Sequence, residues 1–293
     1  MPRTAGILNA IVVALGLGAG AMSPAAQDRP LPATDLFLAN VRAHLRTDRT
    51  LLSQYTYLQR SRDLHFTKTG KFAPGAEKLY QVYPGLHPRE RYERLMAVDG
   101  KPRDPAELAA DDQKHQKKVL DELAKRERES AGDREKRLKA EAKELRDEED
   151  EVDDVFRVYD FRLVERQLID GQSMIVVDFA PKHGAAPKTG DGKLLTKAKG
   201  RAWISEDDYQ LARLEAEMIG DVSVGLFLAK LYKGTTISVD RRKVNGEVWL
   251  PARVRLNLSG RALVRKFSVE SVIEFSDYRK FSVETGETFK VPK

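Results

Sequence analysis

The 293-residue chain contains no cysteine. This absence excludes disulfide bonds, thiolate metal ligands, thiol nucleophiles and the acylated cysteine that anchors bacterial lipoproteins. Histidine is also sparse, and no two histidines have the i, i+4 spacing of a helical zinc site. The five are His44, His65, His87, His115 and His183. The sequence therefore predicts neither a metal site nor a cofactor.

Motifs that mark a catalytic centre are missing as well. No serine lies in a G-x-S-x-G motif, and the glycine-rich run at residues 16–20 falls within the apolar N-terminal segment, where it cannot cradle a phosphate. Carboxylates are concentrated at residues 147–154, which we expect to be a solvated run that performs no acid–base chemistry. We predict no catalytic residues and a non-enzymatic protein; a secreted enzyme of unrecognised mechanism is the alternative.

The charge of the chain does not indicate nucleic-acid binding. The net charge is +6 and the isoelectric point is near 9.3, but 45 acidic residues are interspersed with 51 basic ones. A nucleic-acid-binding domain would concentrate its basic residues on one face or along one element. No nucleic-acid partner is therefore predicted.

The N-terminus has the pattern of an export signal. A basic start around Arg3 precedes an apolar stretch of small residues at 5–22, and small-x-small cleavage candidates follow. Pro24, Pro30 and Pro32 come directly afterwards. The pattern favours a cleaved signal peptide at residues 1–25 and a periplasmic mature protein; an uncleaved membrane anchor is the alternative.

Most of the remaining chain predicts one antiparallel sheet. Apolar and polar residues alternate at 213–217 and 252–258, as in strands that bury one face and expose the other to water. The residue pairs Asn245-Gly246 and Asp170-Gly171 predict two-residue hairpin turns. Further strands are predicted at 55–62, 78–83, 91–98, 155–169, 173–179, 201–204, 236–244 and 264–281. A helix at 35–46, capped by Thr34, offers an apolar stripe to cover the sheet.

A charged segment interrupts the strands at residues 104–154. Asp104, Pro105 and Glu107 form the start of a helix with a capping box. Gly132 can end this helix and Asp133 can cap the next one. The pattern favours an antiparallel helical hairpin, of coiled-coil type, standing off the sheet; one uninterrupted helix or a partly disordered segment are the alternatives. Its charged faces indicate simple solvation or a docking arm for a partner.

A second segment, residues 222–232, is apolar without alternating. It predicts a short helix or an apolar loop lying across the sheet, because a connection between two strands needs fewer residues. Such cover is either a plug of the core or a movable lid over a ligand site.

Several of these features occur together in a known superfamily. They are the helix at 35–46, Asp99-Gly100, the run Gly200-Arg201-Ala202-Trp203-Ile204 with the strand that follows it, and the stretch from Asn245 to Pro251. With them, the chain resembles the LolA/LolB-like outer-membrane lipoprotein-sorting superfamily. The resemblance implies an α+β fold in which an incomplete antiparallel β-barrel at 34–293 is covered by helices, with 104–154 inserted as a charged hairpin.

The same resemblance implies a carrier that holds lipid or lipoprotein acyl chains in its half-barrel cavity. We expect the cavity to be lined by Trp203, Leu226, Phe227, Leu228 and Trp249. Arg60 and Arg62 are candidates for the arginine that latches the lid in such carriers. A periplasmic sensor or protein-interaction module, docking through residues 104–154, is the alternative function.

Overall fold

One antiparallel sheet dominates the structure, a computed structural model that describes residues 29–66, 72–85, 91–190, 192–224, 229–262 and 265–280. Within these ranges thirteen strands pair in the order β4-β3-β2-β1-β13-β12-β11-β8-β7-β6-β5, with β10 beside β12 and β9 beside β10. The end strands β4 and β5 do not pair with each other, so the sheet is open. The predicted α+β class, with an antiparallel sheet not closed into a barrel, is confirmed.

The strands follow the chain with few long connections. The first group is β1 Tyr55–Phe66, β2 Phe72–Pro84, β3 Arg91–Val98 and β4 Lys101–Pro102. The second group is β5 Tyr159–Ile169, β6 Gln172–Pro181, β7 Ala198–Ser205, β8 Leu211–Met218, β9 Val222–Val224, β10 Ala229–Leu231, β11 Thr236–Val244, β12 Val248–Ala262 and β13 Arg265–Lys280. The five helices in the described residues are α1 Thr34–His44, α2 Asp48–Leu52, α3 Pro105–Glu127, α4 Ala131–Val158 and α5 Gly192–Leu195.

Tight turns set the register of the hairpins. Asp99, Asp170 and Asn245 have φ angles of 49°, 50° and 53°, and each is followed by a glycine that also has a positive φ. Two consecutive positive φ angles give the primed turn whose twist matches that of the flanking strands. The turns predicted at Asp170-Gly171 and Asn245-Gly246 are therefore present, and Asp99-Gly100 forms a third.

Helix α1 starts differently from the prediction. Ala33 occupies the N-cap, Thr34 is the first helical residue, and no side chain bonds the free amides. The helix is held by packing instead: Phe37 and Val41 are buried against β6 and β7. Tertiary burial of an amphipathic face outweighs a missing cap, because burial of two large side chains contributes more than one capping hydrogen bond.

The charged segment forms two helices separated at residues 128–130. Asp104 caps α3, and its Oδ1 accepts the Ala106 N–H at 2.7 Å. Ser130 caps α4, so the predicted roles of Gly132 and Asp133 are wrong: both residues lie inside the first turn of α4. The Ser130 Oγ accepts the Asp133 N–H at 3.1 Å, and this capping bond starts the helix three residues earlier than predicted.

The two helices connect opposite edges of the sheet. Helix α3 follows β4 and packs on β3 near one edge, whereas α4 leads into β5 at the other. Residues 155–158, predicted to be extended, remain helical to Val158, which is fully buried. Hydrogen bonds from α1 and α2 hold the C-terminal part of α4. Arg42 donates to Asp153 at 2.7 Å, and Thr50 donates to Glu148 at 2.5 Å. The helical conformation there is fixed by these contacts, which local sequence does not encode.

The two ends of the segment 222–232 are strands, where the sequence predicts a helix or loop across the sheet, and residues 225–228 between them lie outside the described residues. Val222–Val224 and Ala229–Leu231 are strands, and β10 pairs with β12 from Gly260 to Ala262. Strand β12 runs five residues past its last pair with β11, at Asn257. Its free backbone groups need partners, and β10 supplies them. Each of these strands is only three residues long, too short for its alternation to predict a strand from the sequence.

Two predictions about membranes have different outcomes. No helix in the described ranges is both long and apolar enough to cross a bilayer. The predicted signal peptide at residues 1–25 lies outside the described residues.

Candidate functional site

Helix α1 covers one flank of an apolar sheet face. Ile175 and Val177 of β6, and Ala202 and Ile204 of β7, form a buried cluster with Phe37 and Val41 of α1. Side chains alternate along a strand, and the register carries this face onward to Leu214 and Ala216 of β8. We call it the helix face.

Helix α2 covers the other flank of the helix face. Leu52 of α2 packs into a second buried cluster with Tyr57 of β1, Val82 of β2 and Phe275 of β13. Val254 and Ile273, which pair with each other, lie partly buried at the border of this cluster. The two helices thus occupy opposite flanks of one sheet face.

Between the flanks lies a row of half-buried apolar side chains that belongs to neither cluster. Ile237 pairs with Leu256, and Leu258 pairs with Val269, so the four lie side by side on the helix face of β11, β12 and β13. We call these four residues the apolar strip. Sequence alternation at 252–258 marks Leu256 and Leu258 as inward-facing, but it does not show that the helices leave them partly uncovered.

The predicted site residues Trp203 and Trp249 come together elsewhere. Both belong to a third cluster with Met174, Val176 and Ala212, and each is 7% exposed. Trp203 alternates with Ala202 and Ile204, so it points to the face opposite the helix face. The cluster is therefore separated from the apolar strip by the thickness of the sheet.

The two indoles are also held by polar contacts. Trp203 donates to Gln167 Oε1 at 2.9 Å, and Trp249 donates to Asp208 Oδ2 at 3.3 Å. The Arg213 guanidinium lies 4.8 Å from the centre of the Trp203 ring, at cation–π distance. Both indole rings are therefore packed side chains whose N–H groups have hydrogen-bond acceptors. The other predicted contacts, Leu226, Phe227 and Leu228, lie outside the described residues.

The candidate latch arginines bond within the sheet. Arg62 Nη2 lies 3.5 Å from Glu77 Oε2, and Arg60 Nη1 lies 3.9 Å from the other oxygen of that carboxylate. Both arginine side chains are more than half exposed. Their ion pairs link β1 to β2 and involve no described helix.

The face opposite the helix face carries a polar groove of about 820 Å³ that crosses six strands. Strand β12 contributes Arg255 and Asn257 but not the intervening Leu256, which places the groove on this face. Asp178 accepts from Arg162 at 2.5 Å and from Arg201 at 2.7 Å, and Arg255 donates to Asp240 at 2.9 Å.

Charges in this groove are matched across neighbouring strands. Hydrogen bonding from Arg201, opposed by partial burial and aided by the charges of Arg201 and Arg162, holds the pKa of Asp178 below its usual range. An ionised, paired carboxylate is a poor general base, because its proton affinity is reduced. The groove is thus lined by solvated ion pairs. Among the residues that line it, no nucleophile is placed beside a base.

Two of the described histidines, His44 and His115, have structural contacts. His44 Nδ1 lies 2.8 Å from the Asn40 carbonyl oxygen, and the His115 ring stacks on Tyr92 with centroids 3.9 Å apart. Within the described ranges, no three His, Asp or Glu side chains are grouped as ligands for a metal ion.

Comparison with known proteins gives structural neighbours only. The chain matches no protein-family model and no curated protein. It is similar in structure to a DUF1329 family protein from Desulfovibrio piger, at 15% identity and a TM-score of 0.28 over 88% of this chain and 96% of that one.

Two further neighbours carry the name of the superfamily that the sequence resembles. A LolA superfamily protein from Nitrosomonas europaea has 10% identity and a TM-score of 0.28, over 85% of this chain and 94% of that one. An outer membrane lipoprotein-sorting protein domain from Vibrio parahaemolyticus has 9% identity and a TM-score of 0.29, over 86% and 93%. At these TM-scores the likeness carries no argument about ligand or activity, which depend on the chain's own residues.

Proposed function

We propose that the protein is a periplasmic, non-enzymatic carrier that binds the acyl chains of a lipid or lipoprotein along the apolar strip. The observation that supports this proposal is the strip itself: Ile237, Leu256, Leu258 and Val269 lie half-buried between two helix-covered flanks of one sheet face. Apolar side chains left partly open to water between packed flanks are typical of a site that an apolar ligand completes.

The physical requirement for such binding is modest. Each methylene group buried from water contributes roughly 0.8 kcal/mol, so an acyl chain needs a continuous apolar surface and few polar contacts. The strip is continuous in the register, because Leu256 pairs with Ile237 and Leu258 pairs with Val269. Helices α1 and α2, at its sides, are positioned to enclose a chain laid between them.

Acyl contacts at Trp203 and Trp249 remain a separate prediction. A ligand reaching them would have to displace neighbouring side chains, including Arg213 over the Trp203 ring. Binding there would alter tryptophan emission, whereas binding at the apolar strip on the other face leaves both rings in place. Emission spectra recorded with and without ligand distinguish the two sites.

The proposal is tested by thermal unfolding of delipidated protein with fatty acids of increasing length. A ligand that binds only the folded state raises the unfolding temperature, by an amount that grows with concentration and with each added methylene. We expect Leu258→Gln to abolish this rise. Val272→Gln, on the opposite face of β13, is the matched control and should retain it. The proposal fails if no acyl ligand raises the unfolding temperature of the unsubstituted protein.

A second candidate function is docking of a protein partner through α3 and α4. Four leucines on these helices are exposed, between 40% and 62%. They are Leu120, Leu123, Leu138 and Leu145. Leucines left uncovered on charged helices favour a partner, because their burial is the main gain that such a contact can offer.

Substitution tests this alternative better than deletion. Removing residues 104–154 would also remove Asp154, which is fully buried. We expect Leu138→Ser with Leu145→Ser to release any partner that crosslinks in the periplasm, while acyl binding stays unchanged. Glu135→Ser with Glu149→Ser, on exposed positions of the same helix, is the control. An unchanged set of crosslinked proteins in the leucine variant would rule out docking through α4.

A further inference from the structure

One end of the sheet gathers segments that are distant in the sequence. Strand β7 begins there at Ala198, which pairs with Met218 near the end of β8. Strand β11 begins there at Thr236, and Ala262 of β12 pairs there with Arg265 of β13. We define the basic end as the described residues of the segments 182–199, 219–235 and 260–267, which flank these strand termini.

The basic end carries more positive charge than the whole chain. Its three segments contain ten lysines and arginines against two aspartates and no glutamate, a net charge of +8, whereas the chain has +6. The basic residues are Lys182, Lys188, Lys193, Lys197, Lys199, Lys230, Lys233, Arg261, Arg265 and Lys266. The rest of the chain is therefore slightly acidic, and the positive charge is a property of this end.

Backbone hydrogen bonds hold these segments next to one another. The Lys197 carbonyl accepts the Ile219 N–H at 2.8 Å, and the Tyr232 N–H donates to the Ser259 carbonyl at 2.8 Å. In the strand register, Lys230 of β10 lies opposite Arg261 of β12, and Arg261 lies opposite Lys266 of β13. The charge is thus spread over the ends of five adjoining strands.

Several of these cations remain available to a partner. Five exposed lysines at the basic end make no ion pair with any described residue: Lys193, Lys197, Lys199, Lys233 and Lys266. Lys188 and Lys230 are paired, with Asp150 at 2.9 Å and with Asp221 at 2.9 Å. Ile219, an apolar residue 38% exposed, lies among the lysines.

Nearby carboxylates do not neutralise this end. The acidic run of α4 lies beside it, but Asp153 is paired with Arg42, and Asp154 is bonded by the loop at 188–189. Of the strand carboxylates, Glu217 lies opposite Lys199 in the register, and Glu270 lies further along, opposite Asn257. The excess of unpaired lysines therefore faces solvent.

We propose that the basic end docks on the surface of a bilayer that contains anionic phospholipid. A bilayer matches the observed arrangement because it is an extended plane of negative charge, and the cations are spread across five strand ends with no single anion pocket. The five exposed lysines that make no ion pair with a described residue are point charges suited to diffuse attraction, whereas the planar arginine fork is the side chain favoured for ordered nucleic-acid contacts. Ile219 adds an apolar contact at the same surface.

This inference is independent of the proposed acyl site. It concerns the end of the sheet and not the helix face, and it holds whether or not the apolar strip binds a chain. Acyl binding by each variant, measured without vesicles, therefore separates a failure of docking from a failure of the carrier proposal.

The test is flotation of the full chain with vesicles of phosphatidylcholine alone or with 30% phosphatidylglycerol, a composition chosen to give roughly the surface charge of an anionic leaflet. The variant combines Lys197→Glu, Lys233→Glu and Lys266→Glu. The control combines Lys114→Glu, Lys117→Glu and Lys118→Glu, exposed lysines of α3 that make no ion pair with any described residue. Both variants change the net charge equally, and circular dichroism checks that both are folded.

We expect binding to anionic vesicles only, weakened as salt rises from about 50 mM to about 300 mM because exposed charges are screened. Loss of three lysines near the surface should weaken binding roughly 100-fold, at about 1 kcal/mol each. The α3 control should stay within roughly threefold, since its lysines lie outside the basic end, on the helix that packs on β3. Equal losses in both variants, equal binding to both vesicle types, or tighter binding to duplex DNA than to vesicles would each overturn the proposal.

Discussion

At the scale of single residues, the buried carboxylate of Asp154 fixes the end of α4. Its oxygens accept the Lys188 N–H at 2.8 Å, the Thr189 N–H at 2.8 Å and the Thr189 hydroxyl at 2.7 Å. The side chain is fully buried, although it belongs to the run at 147–154 that the sequence predicts to be solvated. The loop before β7 supplies these donors, so the role of this residue becomes visible only when the chain is folded.

We expect Asp154→Asn to lower the free energy of unfolding by about 2–3 kcal/mol, because the amide nitrogen would face a backbone N–H that is left without an acceptor. Chemical denaturation measures this change. Asp153→Asn is the matched control: its side chain is partly exposed and pairs with Arg42, and its loss should cost less than about 1 kcal/mol. Equal effects of the two substitutions would contradict the assigned role.

Asp154 also gives a prediction for acid stability. Burial favours its neutral form, but the hydrogen bonds from residues 188 and 189 outweigh burial and hold its pKa below the usual value. A carboxylate with a depressed folded pKa stabilises fully above its unfolded pKa of about 3.9, and this contribution is lost as pH falls through the folded pKa. The stability gap between the natural chain and Asp154→Asn should therefore be constant from about pH 5 to about pH 8 and narrow below about pH 4.

Gly200 shows a second constraint at this scale. A Cβ atom at this position would lie 2.0 Å from the Glu215 carbonyl oxygen and 2.6 Å from the ring of Phe179, which covers the glycine. We expect Gly200→Ala to destabilise the fold by about 1–3 kcal/mol through overpacking. Gly190→Ala, with open space at its Cβ, should be nearly neutral. Thermal unfolding of both variants measures the difference, and equal melting temperatures would refute the steric argument.

At the scale of elements, helix α3 depends on a few contacts near its N-terminal half. Arg94 of β3 binds Asp112 with two hydrogen bonds of 2.8 Å, and the Tyr92 hydroxyl donates to the same carboxylate at 2.8 Å. The His115 ring stacks on Tyr92. Burial and the bond to Asp112 raise the pKa of Tyr92, so its hydroxyl remains a donor throughout the neutral range.

We expect Asp112→Ala to increase hydrogen exchange along residues 105–127 without a comparable change in the strands. The reason is that α3 buries none of its residues and has little other attachment. Asp111→Ala, which breaks only a partly exposed pair with Arg103, should change exchange much less. Hydrogen exchange measured by mass spectrometry gives the exchange of the two helices and of the sheet separately. Unchanged exchange in α3 would mean that other contacts hold it.

At the scale of the whole molecule, the N-terminal and C-terminal parts are joined by more than the α3–α4 connection. Strand β1 pairs with β13 from Tyr55 to Arg60, and Phe37 packs among residues of β6 and β7. Cutting the chain between α3 and α4 therefore leaves both pieces bound across the sheet and through α1.

A cleavage site for a sequence-specific protease, inserted between Glu129 and Ser130, tests whether strand pairing and packing hold the two parts of the chain together. After cleavage we expect the two pieces to elute together in size-exclusion chromatography and to separate only in denaturant, because extended strand pairing and buried contacts link them. The uncut protein with the same insertion is the control. Separation of the pieces in native buffer would show that the inserted helices hold the sheet together.

Local patterns predicted the elements whose causes are local. Asp104 caps α3 as expected, and the glycine turns close their hairpins as expected, because a capping bond or a positive φ involves neighbouring residues only. Short elements were missed or misassigned: α2, α5 and the pair β9 and β10 depend on partners far along the chain. Local patterns also did not show that Trp203 and Trp249 pack in one cluster on the face opposite the helix face.

The sequence by itself determined the antiparallel sheet, the two charged helices and the absence of thiol chemistry, because alternation, capping and composition act over a few residues. Only the tertiary structure decided which apolar side chains stay half-open and which lysines gather at one end. The alternation of Leu256 and Leu258 is the same whether a helix covers them or not, and Lys197, Lys233 and Lys266 come to the same end of the sheet only when strands from distant segments pair. Exposure and charge density are properties of a surface, and a surface forms when remote parts of the chain meet.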